Sequence, residues 1–190
     1  MSLPARFNKV LLNAYKRRKQ TSSDLSLDHC LQVIRATVSR TKYCFLITPG
    51  QGGSPTARLV EPLADLDELT FFIGTHPASR KVKQIAESNA VTLAFSNTDE
   101  DANLVIYGTA TVSDAPEVKQ QYWKSTWRLF FPEGPEGDDY VVIRVQAEKI
   151  EILNFQRNVI PEPFGLRSAV VEKTTDGWQR PVLTKDTASE

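Results

Sequence analysis

The sequence predicts a mainly β (α+β) fold, an antiparallel barrel or sandwich with helices packed outside. Three observations predict it. Six or more short apolar runs lie between residues 43 and 155, bounded by Gly, Pro, Asn and Asp clusters. Most of these runs follow one another in hairpin order, the pattern of antiparallel β architectures. Only one strand–helix–strand unit is evident, which argues against a parallel sheet.

Residues 3–19 predict a helix with a basic second half, Lys16, Arg17, Arg18 and Lys19. Such runs are usually solvated faces. TSSD (21–24) is a polar break. Leu27, Leu31, Ile34 and Val38 then recur at helical spacing, so 26–39 reads as an amphipathic helix. YCFLIT (43–48) and TARLVEPL (56–63) read as strands around the glycine-rich turn PGQGGS (49–54), a hairpin signal. LADLDE (63–68) is polar enough to turn, and LTFFIG (69–74) is a third strand. A helix follows over 79–88, with Ser79 a suitable N-cap and Val82, Ile85 and Ala86 on one face. AVTLAF (90–95) and LVIYGTATV (104–112) are two further strands separated by the acidic loop SNTDEDAN. A helix is expected from about 115 to 130, with Pro116 tolerated in its first turn. The loop FPEGPEGDD (131–139) leads into YVVIRVQAEKIEILNF (140–155), one long strand or two with a bend near Gln146–Ala147. In the tail, a hairpin is expected around Asp176–Gly177, and the last residues, TKDTASE, are expected to be disordered.

The 190 residues fit one domain with extensions, here an N-terminal helical extension (1–24), a central domain (25–156) and a C-terminal extension (157–190). A formal net charge of zero speaks against a nucleic-acid partner, since such binders usually show a strong basic balance. No apolar run approaches the ~20 residues of a membrane span. The N-terminus lacks an apolar core followed by a small-residue cleavage site, so a cytoplasmic protein with no membrane partner is expected. Cys30 and Cys44 are not in a CxxC arrangement and read as small buried side chains. The histidines are His29 and His76, and no zinc-ligand spacing accompanies them, so no metal is expected. Neither a nucleophile elbow nor a P-loop occurs, and PGQGGS reads as turn glycine rather than a phosphate cradle. Hydrolytic and nucleoside-triphosphate chemistry are poorly supported.

One join stands out. The strand ending FFIGT runs through His76–Ala78 into a helix that opens Ser79-Arg80-Lys81. Cations are unfavourable in a first helical turn, at about 0.3–1 kcal/mol each when exposed. A bound phosphate reverses that sign: the helix N-terminus offers free N–H groups, the Thr75 and Ser79 hydroxyls can donate, Arg80 can pair in bidentate fashion and Lys81 adds a point charge. The alternative is that both cations simply extend into solvent. Arg58, within the strand TARLVEPL, joins the cluster if that strand neighbours LTFFIG in the sheet. A phosphate clamp beside an apolar β surface suits flavin mononucleotide (FMN) or pyridoxal phosphate.

The order of these features resembles the pyridoxamine-phosphate oxidase-like, FMN-binding split-barrel family, and more closely its bacterial general stress protein branch. The resemblance covers about residues 25–155. It rests on Arg58-Leu59-Val60, on Phe72-Ile73-Gly74-Thr75 followed by Ser79-Arg80-Lys81, on Asn89 to Phe95, on Tyr107-Gly108-Thr109-Ala110 and on the loop Phe130-Phe131-Pro132-Glu133-Gly134. It implies a small antiparallel split barrel, a homodimer with the cofactor at its interface, and FMN as that cofactor. It also implies that Arg58, Ser79, Arg80 and Lys81 hold the phosphate. Leu59, Val60, Ile73, Gly74 and Thr75 would meet the isoalloxazine ring through backbone groups, and Asn103 stands where relatives place a polar residue towards it. Trp123, Trp127 and Phe130 could form a partner subunit's wall, though such aromatics more often pack in a core or a dimer contact. The sequence departs from the oxidases proper: Leu63 stands where they carry a phosphate-contacting lysine, and their C-terminal arginine–histidine pattern is missing. The functions implied are a flavin-dependent oxidoreductase or a non-enzymatic flavin-binding stress protein. The same fold with heme, FAD or deazaflavin, and a β-barrel interaction module with no cofactor, are the remaining alternatives. No side chain stands out as a catalytic acid or base.

Overall fold

Nine strands form one antiparallel sheet, in the computed structural model that describes residues 5–181. Two helices precede it: α1 (Ala5–Thr21) and α2 (Leu27–Arg40). The strands are β1 (Cys44–Pro49), β2 (Pro55–Val60), β3 (Leu63–Asp65), β4 (Thr70–Thr75), β5 (Ala90–Asn97), β6 (Ala102–Ser113), β7 (Val141–Asn154), β8 (Ala169–Thr174) and β9 (Gly177–Gln179). Helix α3 (Arg80–Glu87) follows β4, and α4 (Pro116–Gln121) follows β6. Strand order is β2-β1-β5-β6-β7-β4-β3, with β8 on β7 and β9 on β8. This is the mainly β, antiparallel split barrel with peripheral helices that the sequence predicts.

β7 is where the sheet splits. Its first half, from Val141 to Gln146, pairs with β4, and its second half, from Lys149 to Ile152, pairs with β8. Between them the register to β6 shifts, with Tyr107 opposite Lys149 and Gly108 opposite Ala147, so Glu148 is an extra residue. A bulge of this kind bends and twists the strand. Gly108 is required there, because a Cβ would lie 2.0 Å from the Gln146 carbonyl oxygen.

The core lies inside this curl. Cys30, Val33, Ile34 and Val38 on one face of α2 pack onto inward side chains such as Leu46, Leu93, Ile106, Ile150 and Val171. β4 is buried on both faces, which explains its unbroken apolar run. Phe71 and Ile73 enter that core, while Phe72 joins a second, aromatic cluster with Trp127, Phe131 and Tyr140. Phe72 stacks on Tyr122 at 3.5 Å between ring centroids, and the Tyr140 hydroxyl donates to the Tyr122 carbonyl at 2.8 Å.

Several boundaries differ from the sequence expectation. The helix expected over 115–130 ends at Gln121 and resumes as a 3-10 turn over Ser125–Leu129. Packing overrides propensity here, because the break lets Trp123, Trp127 and Phe131 all reach Tyr140. The strand expected to run to residue 63 ends at Val60. Pro62 has no N–H for a ladder, and Leu63–Asp65 pairs instead with β4. Strand β2 is not hydrogen-bonded to β4, contrary to the arrangement considered for Arg58. β2 is an edge strand, with four strands between it and β4 in the sheet order. The first residues of the helix expected over 3–19, and the tail TKDTASE, reach outside the described residues.

Candidate functional site

Curling of the sheet brings the ends of β2 and β4 to one cavity of about 550 Å³. That volume is in the range of small-molecule sites. Leu59, Val60, Ile73, Gly74, Thr75, Ser79 and Lys81 line it, joined by Tyr43, Glu61, His76, Trp127, Phe130 and Phe131. One wall is therefore strand backbone, one is aromatic and one is the start of α3. Gly74 sets the distance between the first two: a Cβ there would lie 2.5 Å from the Trp127 ring and 2.8 Å from the Tyr140 ring.

The polar end is built on α3. Ser79 occupies the N-cap position, yet its side chain makes no capping bond to the helix. Its Oγ instead accepts from the Thr75 hydroxyl at 3.2 Å. The Ser79 proton and the first backbone N–H groups of α3 are thus left to face the cavity end, where an anion would find them. The His76 ring accepts the Ala78 N–H on Nδ1 at 3.0 Å, so a neutral ring carries its proton on Nε2.

Arg58 reaches this end through α3 rather than through strand pairing. Its Nη2 donates to Gln84 Oε1 at 2.6 Å, and its Nη1 donates to Thr48 Oγ1 at 2.8 Å and to the Leu46 carbonyl at 3.2 Å. The Thr48 hydroxyl in turn donates to Gln84 Oε1 at 2.7 Å, and Gln84 Nε2 donates to Thr56 Oγ1 at 3.3 Å. Gln84 lies one helical turn beyond Arg80 and Lys81, so the same face of α3 carries the guanidinium and the cations. The three bonds leave two of the five guanidinium N–H groups for a ligand.

Arg58 and Lys81 are both shifted, chiefly by burial. Burial lowers the Arg58 pKa, and the positive charge of Arg80 lowers it further. Burial likewise lowers the Lys81 pKa, and the charge of Arg58 adds to the effect. Like charges that depress one another are held at a cost, which a bound anion removes. Arg58, Arg80 and Lys81 are therefore brought together. Of the three only Lys81 lines the cavity; Arg58 is half-buried behind it and Arg80 is exposed.

Asn103 is placed apart from this cluster. It is exposed on β6 and lines a shallower cavity with Ser96, Asn97 and Leu153. A larger cavity of about 660 Å³ lies against α1, lined by polar residues including Lys16, Arg17 and Glu162. It lacks the apolar and aromatic wall of the first. Among the described residues, no group of three His, Cys, Asp or Glu is placed to hold a metal ion, and no helix is long and apolar enough to cross a membrane.

Sequence reading missed Thr48, Gln84, Tyr43, Glu61 and His76. Thr48 had a signal, since it continues the inward alternation of Cys44 and Leu46. Gln84 had a weaker one, a polar residue beside Ile85 that the structure buries at 9% exposure. Glu61 is neutralised by Lys124 at 2.7 Å, and that bond is the main cause of its lowered pKa.

Residues 29–176 match the family described as pyridoxamine 5'-phosphate oxidase like. No curated protein matches the chain. Among solved structures, the chain is similar to a Clostridium acetobutylicum protein related to general stress protein 26 of Bacillus subtilis, of the pyridoxinephosphate oxidase family. The TM-score is 0.63 at 20% identity, covering 75% of this chain and 93% of that one. General stress protein 26 from Bacillus anthracis gives a TM-score of 0.57 at 16% identity, covering 66% and 94%. A pyridoxamine 5'-phosphate oxidase-related, FMN binding protein from Nostoc punctiforme gives 0.57 at 12% identity, covering 81% and 93%.

Proposed function

The chain belongs to the pyridoxamine 5'-phosphate oxidase-like family, and from that premise we propose that it binds FMN in the 550 Å³ cavity and acts as a flavin-dependent oxidoreductase. The single observation that carries the reading is the placing of Arg58, held on α3 by Gln84, and of Lys81 beside an uncapped helix start that opens on the apolar cavity. A dianionic phosphate there would accept from Arg58, Arg80, Lys81 and the Ser79 hydroxyl, while Leu59, Val60, Ile73, Gly74 and Thr75 present backbone to the ring. Thr48 and Gln84 hold the Arg58 fork in position, and Trp127 and Phe131 exclude water from the ring side. The flavin would supply the redox chemistry, and the protein orientation and electrostatics. The FMN binding named for the Nostoc punctiforme protein is consistent with this.

The working unit in this reading is a homodimer. The outer face of the sheet exposes Phe45 at 50% and Leu59 at 59%, which stand opposite each other on β1 and β2. Covering that face by a second copy would bury both beside the cavity. Asn103, exposed on β6, enters the site in this reading only from the partner copy.

The test is mass identification of the chromophore that purifies with the protein. FMN supports the reading. A colourless protein that does not take up added FMN contradicts it, and heme, FAD or deazaflavin would keep the fold and replace the ligand. A second reading is flavin binding without turnover, favoured by the pairing of Glu61 with Lys124, which leaves the cavity without a free carboxylate. Rapid reduction of the bound flavin by NADH or NADPH, followed by turnover with an acceptor, separates the two.

A further inference from the structure

We propose that α1 of one copy docks on the acidic rim of a second copy's cavity and covers its mouth. This rests on the homodimer reading above. Residues 1–23 contain six cations and no carboxylate residue. The chain has 23 cations and 23 carboxylates, so the remainder carries 17 against 23, a balance of minus six. The two halves of this asymmetry lie at different ends of the molecule.

From Lys9 to Arg18, α1 is exposed on every residue. Among the described residues, its contacts with the body lie towards its C-terminus. Tyr15 meets Phe164 edge-on, Lys16 lies over the same ring, and Lys19 Nζ donates to the Phe155 carbonyl at 2.7 Å. At helical spacing Val10 and Ala14 fall on the opposite side and Leu11 flanks it. Val10 is 67% exposed and Leu11 51%. A helix this exposed gains little from packing within its own chain.

The complementary surface lies beside the aromatic wall of the cavity, on the segments after β6 and before β7. Leu129 is 83% exposed and Phe130 69%, and Phe130 lines the cavity. Around them Asp114, Glu117, Glu133, Glu136 and Asp138 are all exposed. Among the described residues none of these five carboxylates has a cation within 4 Å, and none of the α1 cations has a carboxylate. Three cations lie nearby: Lys119 donates inward to the Gly137 carbonyl at 2.6 Å, Lys124 pairs with Glu61, and the exposed Arg128 donates to the Pro132 carbonyl at 3.3 Å, so the five carboxylates outnumber the one cation left at the surface.

The attachment of α1 lies just past the C-terminal end of β7, whereas the acidic rim adjoins its N-terminal end. A strand of that length spans about 40 Å. A two-fold axis therefore sets the basic end of each copy against the acidic end of the other, twice over, and closes. Apolar side chains meet at the centre and opposite charges around them. A phosphate-bearing partner, membrane or nucleic acid, would satisfy the cations and leave Leu129, Phe130 and the five carboxylates uncovered.

The experiment co-expresses two full-length chains, one carrying Leu11→Cys and the other Leu129→Cys, and treats them with a short bis-maleimide. The native Cys30 and Cys44 are buried. The expected product is a covalent heterodimer. Its yield should fall at least tenfold when Lys9, Arg17 and Arg18 are changed to Glu, and recover when the other chain carries Glu133→Lys, Glu136→Lys and Asp138→Lys. A dimer by light scattering that gives no cross-link, or α1-dependent binding to anionic vesicles without one, overturns the docking and leaves the dimer reading intact. A monomer by light scattering overturns both.

Discussion

Arg58 shows how much the site depends on single side chains that are held rather than merely present. Its guanidinium is gripped by Thr48, Gln84 and the Leu46 carbonyl, so its direction is set before any ligand arrives. Pre-positioned charge is what makes a phosphate contact strong, and each charge-assisted bond contributes about 1.5–3 kcal/mol. Changing Arg80→Ala with Lys81→Ala should therefore weaken FMN binding by roughly 10²-fold or more while the unfolding curve stays in place. Titration of the apoprotein checks this, and unchanged affinity would count against the clamp. Gln84→Leu should also weaken FMN binding, though the residue is expected to touch no ligand atom, because it leaves the Arg58 fork unheld. Gly74→Ala is a different kind of change. It drives a methyl group into the Trp127 and Tyr140 rings, and overpacking of this kind costs about 1–3 kcal/mol. Denaturant unfolding should register that loss even without FMN.

Two side-chain ties join elements, one beside the cavity and one at the far end of β7. Lys124 links the 3-10 turn over Ser125–Leu129 to Glu61 beyond β2 and lies 5.6 Å from the Trp127 ring centroid. Lys124→Met should loosen that turn, which near-ultraviolet circular dichroism of Trp127 would report as a weaker signal with little loss of global stability. The second tie joins the β5–β6 turn to the segment after β7. Glu100 accepts from Arg157 Nε and Nη2, each at 2.8 Å, and from Asn154 Nδ2 at 2.9 Å. The Arg157 bonds come first among the causes that hold its carboxyl at about 2, against about 4.5 for an ordinary glutamate. The folded state has the lower value, so the contribution is complete above about pH 4.5 and is lost as pH falls towards 2. Thermal melts should show this loss across that window in the natural protein and a shallower one in Glu100→Gln. Elements of this kind were only partly legible. The 3.6-residue spacing of Leu27, Leu31, Ile34 and Val38 announced α2, and the period-two runs announced β5 and β6. The helix expected over 115–130 was not divided in the sequence, because its break serves contacts to Tyr140 that are distant along the chain. The sequence suggested that Arg58 approaches the start of α3 through strand pairing, whereas Arg58 meets α3 through Gln84, a contact that depends on barrel closure and has no signal along the chain.

At the scale of the whole molecule, an edge strand and an inner strand come together only because the sheet curls and splits at Glu148 of β7. That curl juxtaposes an apolar wall with a cationic pocket, an arrangement suited to a ligand with a flat ring at one end and a dianion at the other. It also leaves Phe45 and Leu59 exposed on the outer face, as a molecule built to pair with its own copy would. Light scattering should accordingly give twice the 21.3 kDa chain mass. The most direct measurement is calorimetric titration of the apoprotein with FMN and with riboflavin, which differ only in the phosphate. FMN should bind at least 10²-fold more tightly, since two or more charge-assisted bonds go to the group that riboflavin lacks. Equal affinity for the two would contradict a phosphate held by Arg58, Arg80 and Lys81.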